Sequence, residues 1–167
     1  MGSELLVERL AVPVPASGSP PPILRNADFR SAKAGSMRIQ FASVFVPDQE
    51  KALSFYTEVL GLVKMADIPM GPFRWLTVRS PETAEGMELV LEPLNFPPAV
   101  IYQKALFDAG IPATALITDD VAADFVRLSA KAVQFRGEPV AMGPIISVVF
   151  EDGCGNLINL VQTRERA

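Results

Sequence analysis

The sequence predicts an α+β protein made of two repeated βαβββ modules, and three observations carry that prediction. Met70-Gly71-Pro72 with the run Phe73 to Val78 recurs 72 residues later as Met142-Gly143-Pro144 with Ile145 to Phe150. Phe45-Val46-Pro47-Asp48 falls on Ile117-Thr118-Asp119-Asp120 at the same offset, each an apolar strand that ends in an acidic residue ahead of a helical pattern. Strand-like and helix-like patterns also follow one another in the same order in both halves, which is the signature of a duplicated unit.

Taken in order, Arg38 to Val46 is an apolar, β-branched and aromatic run that predicts the first strand, with Asp48 as N-cap of a helix reaching Leu60 and ended by Gly61. Ala52, Phe55, Tyr56, Val59 and Leu60 recur at steps of three and four and predict one buried stripe, leaving Gln49, Glu50, Lys51 and Glu58 in solvent. Strands are expected over Leu62 to Ala66, Arg74 to Arg79 and Met87 to Glu92, the last two separated by the polar Ser80 to Gly86 loop. Pro97-Pro98 opens a connecting helix that ends at Gly110, with Tyr102, Ala105, Leu106 and Ala109 on one face. The second module repeats the order. Its first strand is Ala113 to Thr118, Asp120 caps a helix bearing Val121, Phe125 and Leu128, and three strands follow near Val133 to Arg136, Ile145 to Phe150 and Leu157 to Gln162.

Composition narrows the classes of function. With 167 residues, 49% of them apolar, the chain is long enough for one well-filled core. A net charge of −4 with no cluster of Lys or Arg argues against a nucleic-acid partner. No apolar run approaches the ~18 residues of a membrane span. The lone Cys154 is compatible with the reducing cytoplasm and, with no His, Lys or Arg beside it, reads as inert.

Residues 1–36 differ from the rest. Pro13, Pro15, Pro20, Pro21 and Pro22, with Ser17, Gly18 and Ser19 among them, predict an extended arm. Neither a secretory signal nor a myristoylation motif fits it. Gly35-Ser36 ahead of Met37 resembles a cloning junction, which leaves two readings of the arm: a vector-derived leader or a natural docking segment. Residues 37–167 are expected to form a single domain, with modules at about 38–95 and 111–163.

Pro47-Asp48 closing the first strand, Ala52-Leu53-Ser54-Phe55-Tyr56 running into Val59-Leu60-Gly61, and Asp152-Gly153-Cys154-Gly155-Asn156-Leu157-Ile158 opening the last strand together resemble the vicinal oxygen chelate superfamily. That group includes glyoxalase I, extradiol dioxygenases and bleomycin or fosfomycin resistance proteins. The resemblance spans about residues 38–163. It implies paired βαβββ modules whose mixed sheets curl into a cup, a ligand in the concavity, often a divalent metal at its floor, and a homodimer.

The resemblance also implies four cup-facing ligand positions. Seven residues before Asp48 and Asp120 stand Phe41 and Ala113, neither of which can ligate. In the last strands the positions read as Glu88 and, at an offset of 71, Asn159. A shift of one residue would bring in Gln40 or Thr114. The chain has no histidine, and one carboxylate with one amide falls short of the three or four donors a divalent ion needs. No metal and no other cofactor is therefore expected, which counts against glyoxalase-type and dioxygenase-type chemistry.

Strand alternation puts Phe41, Ser43 and Phe45 on the cup face, with Glu88, Val90 and Glu92 on the same parity. Ala113, Ala115 and Ile117 form the matching face of the second module, beside Leu157, Asn159 and Val161. This mostly apolar lining with a few polar groups is that of a small-molecule pocket. Glu88 at the floor is the candidate general base, with Arg74 or a cationic ligand as compensating charge. Plainer roles stand beside these: sheet or dimer packing for Trp75 and Phe73, turn formation for Asn156, and backbone satisfaction for Asn159. The reading that follows is a cytoplasmic, homodimeric, metal-free protein that binds and sequesters a small molecule. The alternative is a lyase, isomerase or dioxygenase-type enzyme of the same group, using Glu88 as base or a metal held by other ligands.

Overall fold

In the computed structural model, which describes residues 39–82 and 86–164, each half starts on an acidic cap. Strand β1 (Phe41–Val46) leads to Asp48, whose carboxylate accepts from the Glu50 and Lys51 N–H groups at 2.9 and 3.0 Å and starts helix α1 (Gln49–Ser54). The helix then widens into a π-helical turn (Phe55–Val59), where the Leu60 N–H reaches back to the Phe55 carbonyl at 3.1 Å. The Thr57 hydroxyl donates to the Leu53 carbonyl at 2.8 Å, occupying a helical acceptor inside this wider turn. Gly61, at φ +90°, ends it. The turn divides the apolar stripe between two cores. Ala52 and Tyr56 are buried among Val44, Val46, Leu76 and Leu91, while Phe55, Val59 and Leu60 also pack on the second cluster around Val121, Leu128 and Phe150.

The first sheet is completed by β2 (Val63–Met70), β3 (Phe73–Arg79) and β4 (Glu88–Pro93) in the order β1-β4-β3-β2, with β1 and β4 parallel and the other pairs antiparallel. Helix α2 (Pro97–Asp108) connects the modules; it buries Ala99 and Gln103 and leaves Tyr102 exposed. Strand β5 (Thr114–Ile117), helix α3 (Val121–Ala130) and strands β6 (Val140–Met142), β7 (Ile145–Glu151) and β8 (Leu157–Thr163) repeat the arrangement as β5-β8-β7-β6. Asp120 caps α3 by accepting from the Ala123 N–H at 2.9 Å. Gly71 and Gly143 take φ of +60° and +57°, so the repeated Met-Gly-Pro turns are two copies of one hairpin bend. The arm at 1–36 lies outside the described residues.

Two expectations are corrected. No strand forms at Val133 to Arg136: Phe135 keeps one bridge to Phe150, and the strand of this hairpin is β6, Val140–Met142. Gly137, at φ +134°, and Pro139, which has no N–H, interrupt the hairpin strand here, whereas the corresponding β2 extends over eight residues. Gln49 is not a solvent-facing residue either. Its Nε2 donates to the Arg74 and Leu91 carbonyls at 2.8 Å each, and its Oε1 accepts from the Arg74 N–H at 3.0 Å. One amide thereby ties α1 to both β3 and β4.

The modules are joined by a buried polar cluster at the loop before β8. The Asp152 carboxylate accepts from the Tyr56 hydroxyl (3.0 Å), the Cys154 and Asn156 N–H groups (2.8 and 2.9 Å) and the Asn156 side-chain amide (2.7 Å). Asn156 Nδ2 and Gln103 Nε2 both donate to the Phe45 carbonyl, at 2.9 and 2.7 Å, which satisfies β1 along its outer edge. Asp152→Ala would leave several buried donors without an acceptor and is expected to lower stability by about 3–5 kcal/mol. Tyr56→Phe, which removes one of these bonds, should cost about 1–2 kcal/mol. Urea denaturation of the two variants checks both the sizes and their order.

Candidate functional site

Residues paired across a sheet share a face, so the observed registers fix which side chains meet. On the first sheet Phe41, Ser43 and Phe45 pair with Glu88, Val90 and Glu92, and Val90 pairs onward with Thr77. All lie on the face away from α1. Thr77 and Val90 are buried at its floor, while Phe41 (47% exposed) and Ile68 (56%) stand at its rim. Phe41 and Trp75 meet edge to face, centroids 5.5 Å apart.

Glu88 is held from one side. The Thr77 hydroxyl donates to its carboxylate at 2.5 Å, and the Ala66 N–H donates to the Thr77 oxygen at 3.1 Å. Because the backbone N–H donates to that oxygen, the hydroxyl proton is directed at Glu88, which is presented as an oriented acceptor. Gln40 is a backbone tie: its side chain donates to the Gly86 carbonyl at 3.0 Å and its own carbonyl accepts from the Glu88 N–H at 2.9 Å.

Arg74 does not stand beside Glu88. It alternates with Leu76 and Val78 on the helix side of β3, where it pairs with Glu50 at 2.9 Å and Asp67 at 3.5 Å. The basic residue on the face of Glu88 is Arg79, of the same parity as Thr77 and directly opposite Glu88 when the β3–β4 register is continued by one residue. Parity alone would have chosen Arg79 over Arg74 from the sequence.

On the second sheet Asn159 pairs with Ala115 and Val149, and Ile117 with Val161, forming the corresponding face. Ala113 lies just before β5, exposed, its N–H donating to the Leu157 carbonyl at 2.8 Å. The register corrects the pairing of Glu88 with Asn159. Ser43 and Thr77 both pair with Val90, and their repeats Ala115 and Val149 both pair with Asn159. Asn159 is thus the counterpart of Val90, and Leu157 is the counterpart of Glu88. The loop before β8 is three residues shorter than the loop before β4, so the offset drops from 72 to 69. The four repeat-related positions are then Phe41, Glu88, Ala113 and Leu157, with one carboxylate among them. Among the described residues no three His, Cys, Asp or Glu side chains converge. This donor set does not fit a divalent ion.

Two hollows border the second module. One of about 470 Å³ lies over the open face of its sheet, with Val140, Met142, Val149 and Leu157 as apolar lining and Ser147, Arg136 and Glu138 as polar groups. Arg136 is engaged by Glu151 at 2.8 Å and lies 4.9 Å above the Phe107 ring. The other, about 500 Å³, lies on the helix side, between Leu60 to Leu62 and the start of α3. Its acidic groups are already used in part, Asp120 as the cap and Asp124 by Arg127 and the Thr118 hydroxyl. Of the face residues expected from the sequence, Ile117 alone lines it.

A family model described as "Glyoxalase/Bleomycin resistance protein/Dioxygenase superfamily" matches residues 38–160. The chain belongs to this superfamily. Among its relatives are two proteins of Bacillus subtilis (strain 168). "Uncharacterized protein YurT" is 49% identical over 75% of this chain and 99% of its own length, and "Uncharacterized protein YetH" is 34% identical over 74% and 96%. Similar solved structures include UcmS2, at 29% identity and TM-score 0.66 over 76% of this chain and 98% of that one. Another is TnmS3, described as an antibiotic binding protein from Streptomyces sp. CB03234, at 36% identity and TM-score 0.60 over 79% and 99%. Two βαβββ modules with mixed four-stranded sheets are the superfamily fold, and no helix among the described residues is long and apolar enough to cross a membrane.

Cys154, within the superfamily-like loop before β8, is buried, and burial first, then the Asp152 carboxylate, push its thiol up to about 12. An unfolded thiol ionises near its ordinary 9.0, so above that pH the folded state retains a proton the unfolded chain gives up. Stability from this group is complete below pH 9.0 and declines as pH rises toward about 12. Tyr56, raised above its ordinary 10.0 by burial and then by Asp152, adds to the decline at higher pH. Denaturation midpoints measured from pH 8 upward should fall, and Cys154→Ala should remove the earlier part of that slope.

Proposed function

We propose that this protein binds and sequesters a small, largely apolar molecule on the open faces of its sheets, without a metal. The observation that carries the reading is the composition of those faces. The positions related by the repeat hold Phe41, Glu88, Ala113 and Leu157, a set unsuited to Lewis-acid chemistry but suited to holding an apolar body. Similarity to TnmS3, whose description is antibiotic binding, supports it. Glu88, held by Thr77 as an oriented carboxylate on the first face, favours a cationic ligand over an anionic one. The working unit we propose is a homodimer, since large apolar side chains stand exposed on the outer strands, Ile68 and Met70 on β2 and Val140 and Met142 on β6. The buried free Cys154 suits a cytoplasmic setting.

Trp75, the single tryptophan, lies on the first face and reports on it directly. Titration with 1-naphthylmethylamine, 1-naphthol and 1-naphthalenesulfonate should quench its fluorescence saturably, most tightly for the cation. Glu88→Gln should weaken the cation about tenfold and spare the other two. Absence of saturable quenching by all three would remove the reading. Stoichiometric stabilisation by Ni, Zn, Mn or Fe ions in thermal shift would also overturn the metal-free assignment.

The oriented Glu88 favours a second reading, a metal-free lyase or isomerase with this carboxylate as general base. In that case Glu88→Gln abolishes turnover while ligand affinity is retained. For the assembly, sedimentation should give a dimer that Ile68→Glu combined with Met142→Glu converts to monomers.

A further inference from the structure

Ser147 lines the hollow of about 470 Å³ on the second open face, is 6% exposed, and its hydroxyl makes no hydrogen bond among the described residues. A buried polar group without a partner calls for an explanation. Register supplies its counterpart. Val140 pairs with Ser147 as Ile68 pairs with Trp75, both 72 positions on, so the hydroxyl stands where the first face carries its indole. Ala113 likewise stands where that face carries Phe41, so the edge-to-face pair of the first face, centroids 5.5 Å apart, has two small residues in its place. The hollow lies in the room left beside Ser147, and its volume is within the range that holds small ligands. A bulge shapes its edge. Between the Phe135–Phe150 bridge and the Val140–Ser147 pair, residues 136–139 stand opposite Val148 and Val149 alone, and this extra length brings Arg136 and Glu138 into the lining. Arg136 is neutralised by Glu151 at 2.8 Å, while Glu138 has no ion pair among the described residues and leaves the edge acidic.

We infer that this hollow is a subsite for an uncharged aromatic molecule bearing a hydroxyl or carbonyl oxygen, its ring taking the place that the Trp75 indole holds on the first face and its oxygen pairing with Ser147 Oγ. The inference rests on the reading of the open faces as a binding site, and adds to it a ligand class and the residue that selects it. The ring is chosen by the walls. Val140, Met142, Val149 and Leu157 offer apolar surface, and the Met142 thioether is a favourable neighbour for an aromatic edge. The oxygen is chosen by desolvation: a ligand that fills the hollow shields Ser147 from water, so one without a hydrogen-bonding group leaves the hydroxyl unpaired, whereas a phenol or an aryl ketone replaces what water supplied. Because a hydroxyl both donates and accepts, either kind of oxygen serves. An anion loses its hydration on entry and meets Glu138 at the edge, and is disfavoured on both counts.

The test uses the whole chain carrying 13C-methyl methionine, with Met142→Leu assigning the methyl resonance that reports on the hollow, while Trp75 fluorescence reports on the first face. In wild type, 2-naphthol should shift the Met142 signal saturably and about tenfold more tightly than 2-methylnaphthalene, with 2-naphthoate weakest. Ser147→Ala should bring naphthol and methylnaphthalene to equal affinity without lowering the thermal midpoint, since it removes a hydroxyl that supports nothing in the free protein. Ser147→Phe, which puts a ring back into the hollow, should abolish the Met142 response and leave Trp75 quenching as it was. Equal affinity of wild type for naphthol and methylnaphthalene, naphthoate binding as tightly as naphthol, or a preference that survives in Ser147→Ala overturns the inference. So does a Met142 signal that no compound moves while Trp75 is still quenched, and in each of these cases the binding reading stands. Failure of both reporters to respond removes that reading and this inference with it.

Discussion

The four hydrogen bonds accepted by Asp152 are the constraint on which the arrangement of this chain depends. The carboxylate is 1% exposed and belongs to the second module, yet one of its donors, the Tyr56 hydroxyl, comes from the π-helical turn of the first. A buried carboxylate left short of donors is costly, so the loop Asp152 to Asn156 has little freedom once it is packed. The closed loop then presents Asn156 to the outer edge of β1, where it meets Gln103 from α2 at the same carbonyl. Three segments distant in sequence are thereby fixed at one point. The open faces of both sheets inherit their positions from it.

Much of the fold was legible because its signals are local. The caps Asp48 and Asp120, the positive-φ glycines of the two Met-Gly-Pro turns and the repeat offset each specify a bend or a start whatever surrounds them. The features that escaped depend on tertiary context. Nothing in Phe55 to Val59 announces a π-turn, which arises where one stripe serves two cores. Gln49 looks like a polar helix residue until the strand ends it bridges are in place. The Val133 to Arg136 run has the composition of a strand, but Gly137 and Pro139 deny it a ladder, and three residues beyond them form the strand instead.

The site was legible at the level of parity and not at the level of register. Alternation correctly grouped Phe41, Ser43 and Phe45 with Glu88 and Glu92, and Ala115 with Asn159, because side chains alternate strictly along a strand. It would equally have excluded Arg74 and admitted Arg79. The match of Glu88 to Asn159 failed for a different reason. A loop three residues shorter in the second module shifts the last strand by two positions against the count, an even shift that keeps the face and changes the neighbour. Periodicity cannot detect an error of that size, and only the ladder resolves it.

Duplication made the two faces alike in backbone, and their side chains have since diverged in opposite directions. The first carries an aromatic pair, a carboxylate oriented by Thr77 and an arginine across from it. The second is mostly aliphatic, with Leu157 where the first has Glu88, Asn159 where the first has Val90, and Ser147 opposite Val161 on the same face. Metal-based chemistry asks the two halves to converge donors on one point, and among the described residues no three His, Cys, Asp or Glu side chains converge. The two unlike faces present different chemistry, one charge-bearing around Glu88 and the other mostly aliphatic around Leu157. The buried cluster around Asp152 ties the π-helical turn of the first module and the outer edge of β1 to the loop that opens β8, so the backbone beneath both faces is held by one set of hydrogen bonds.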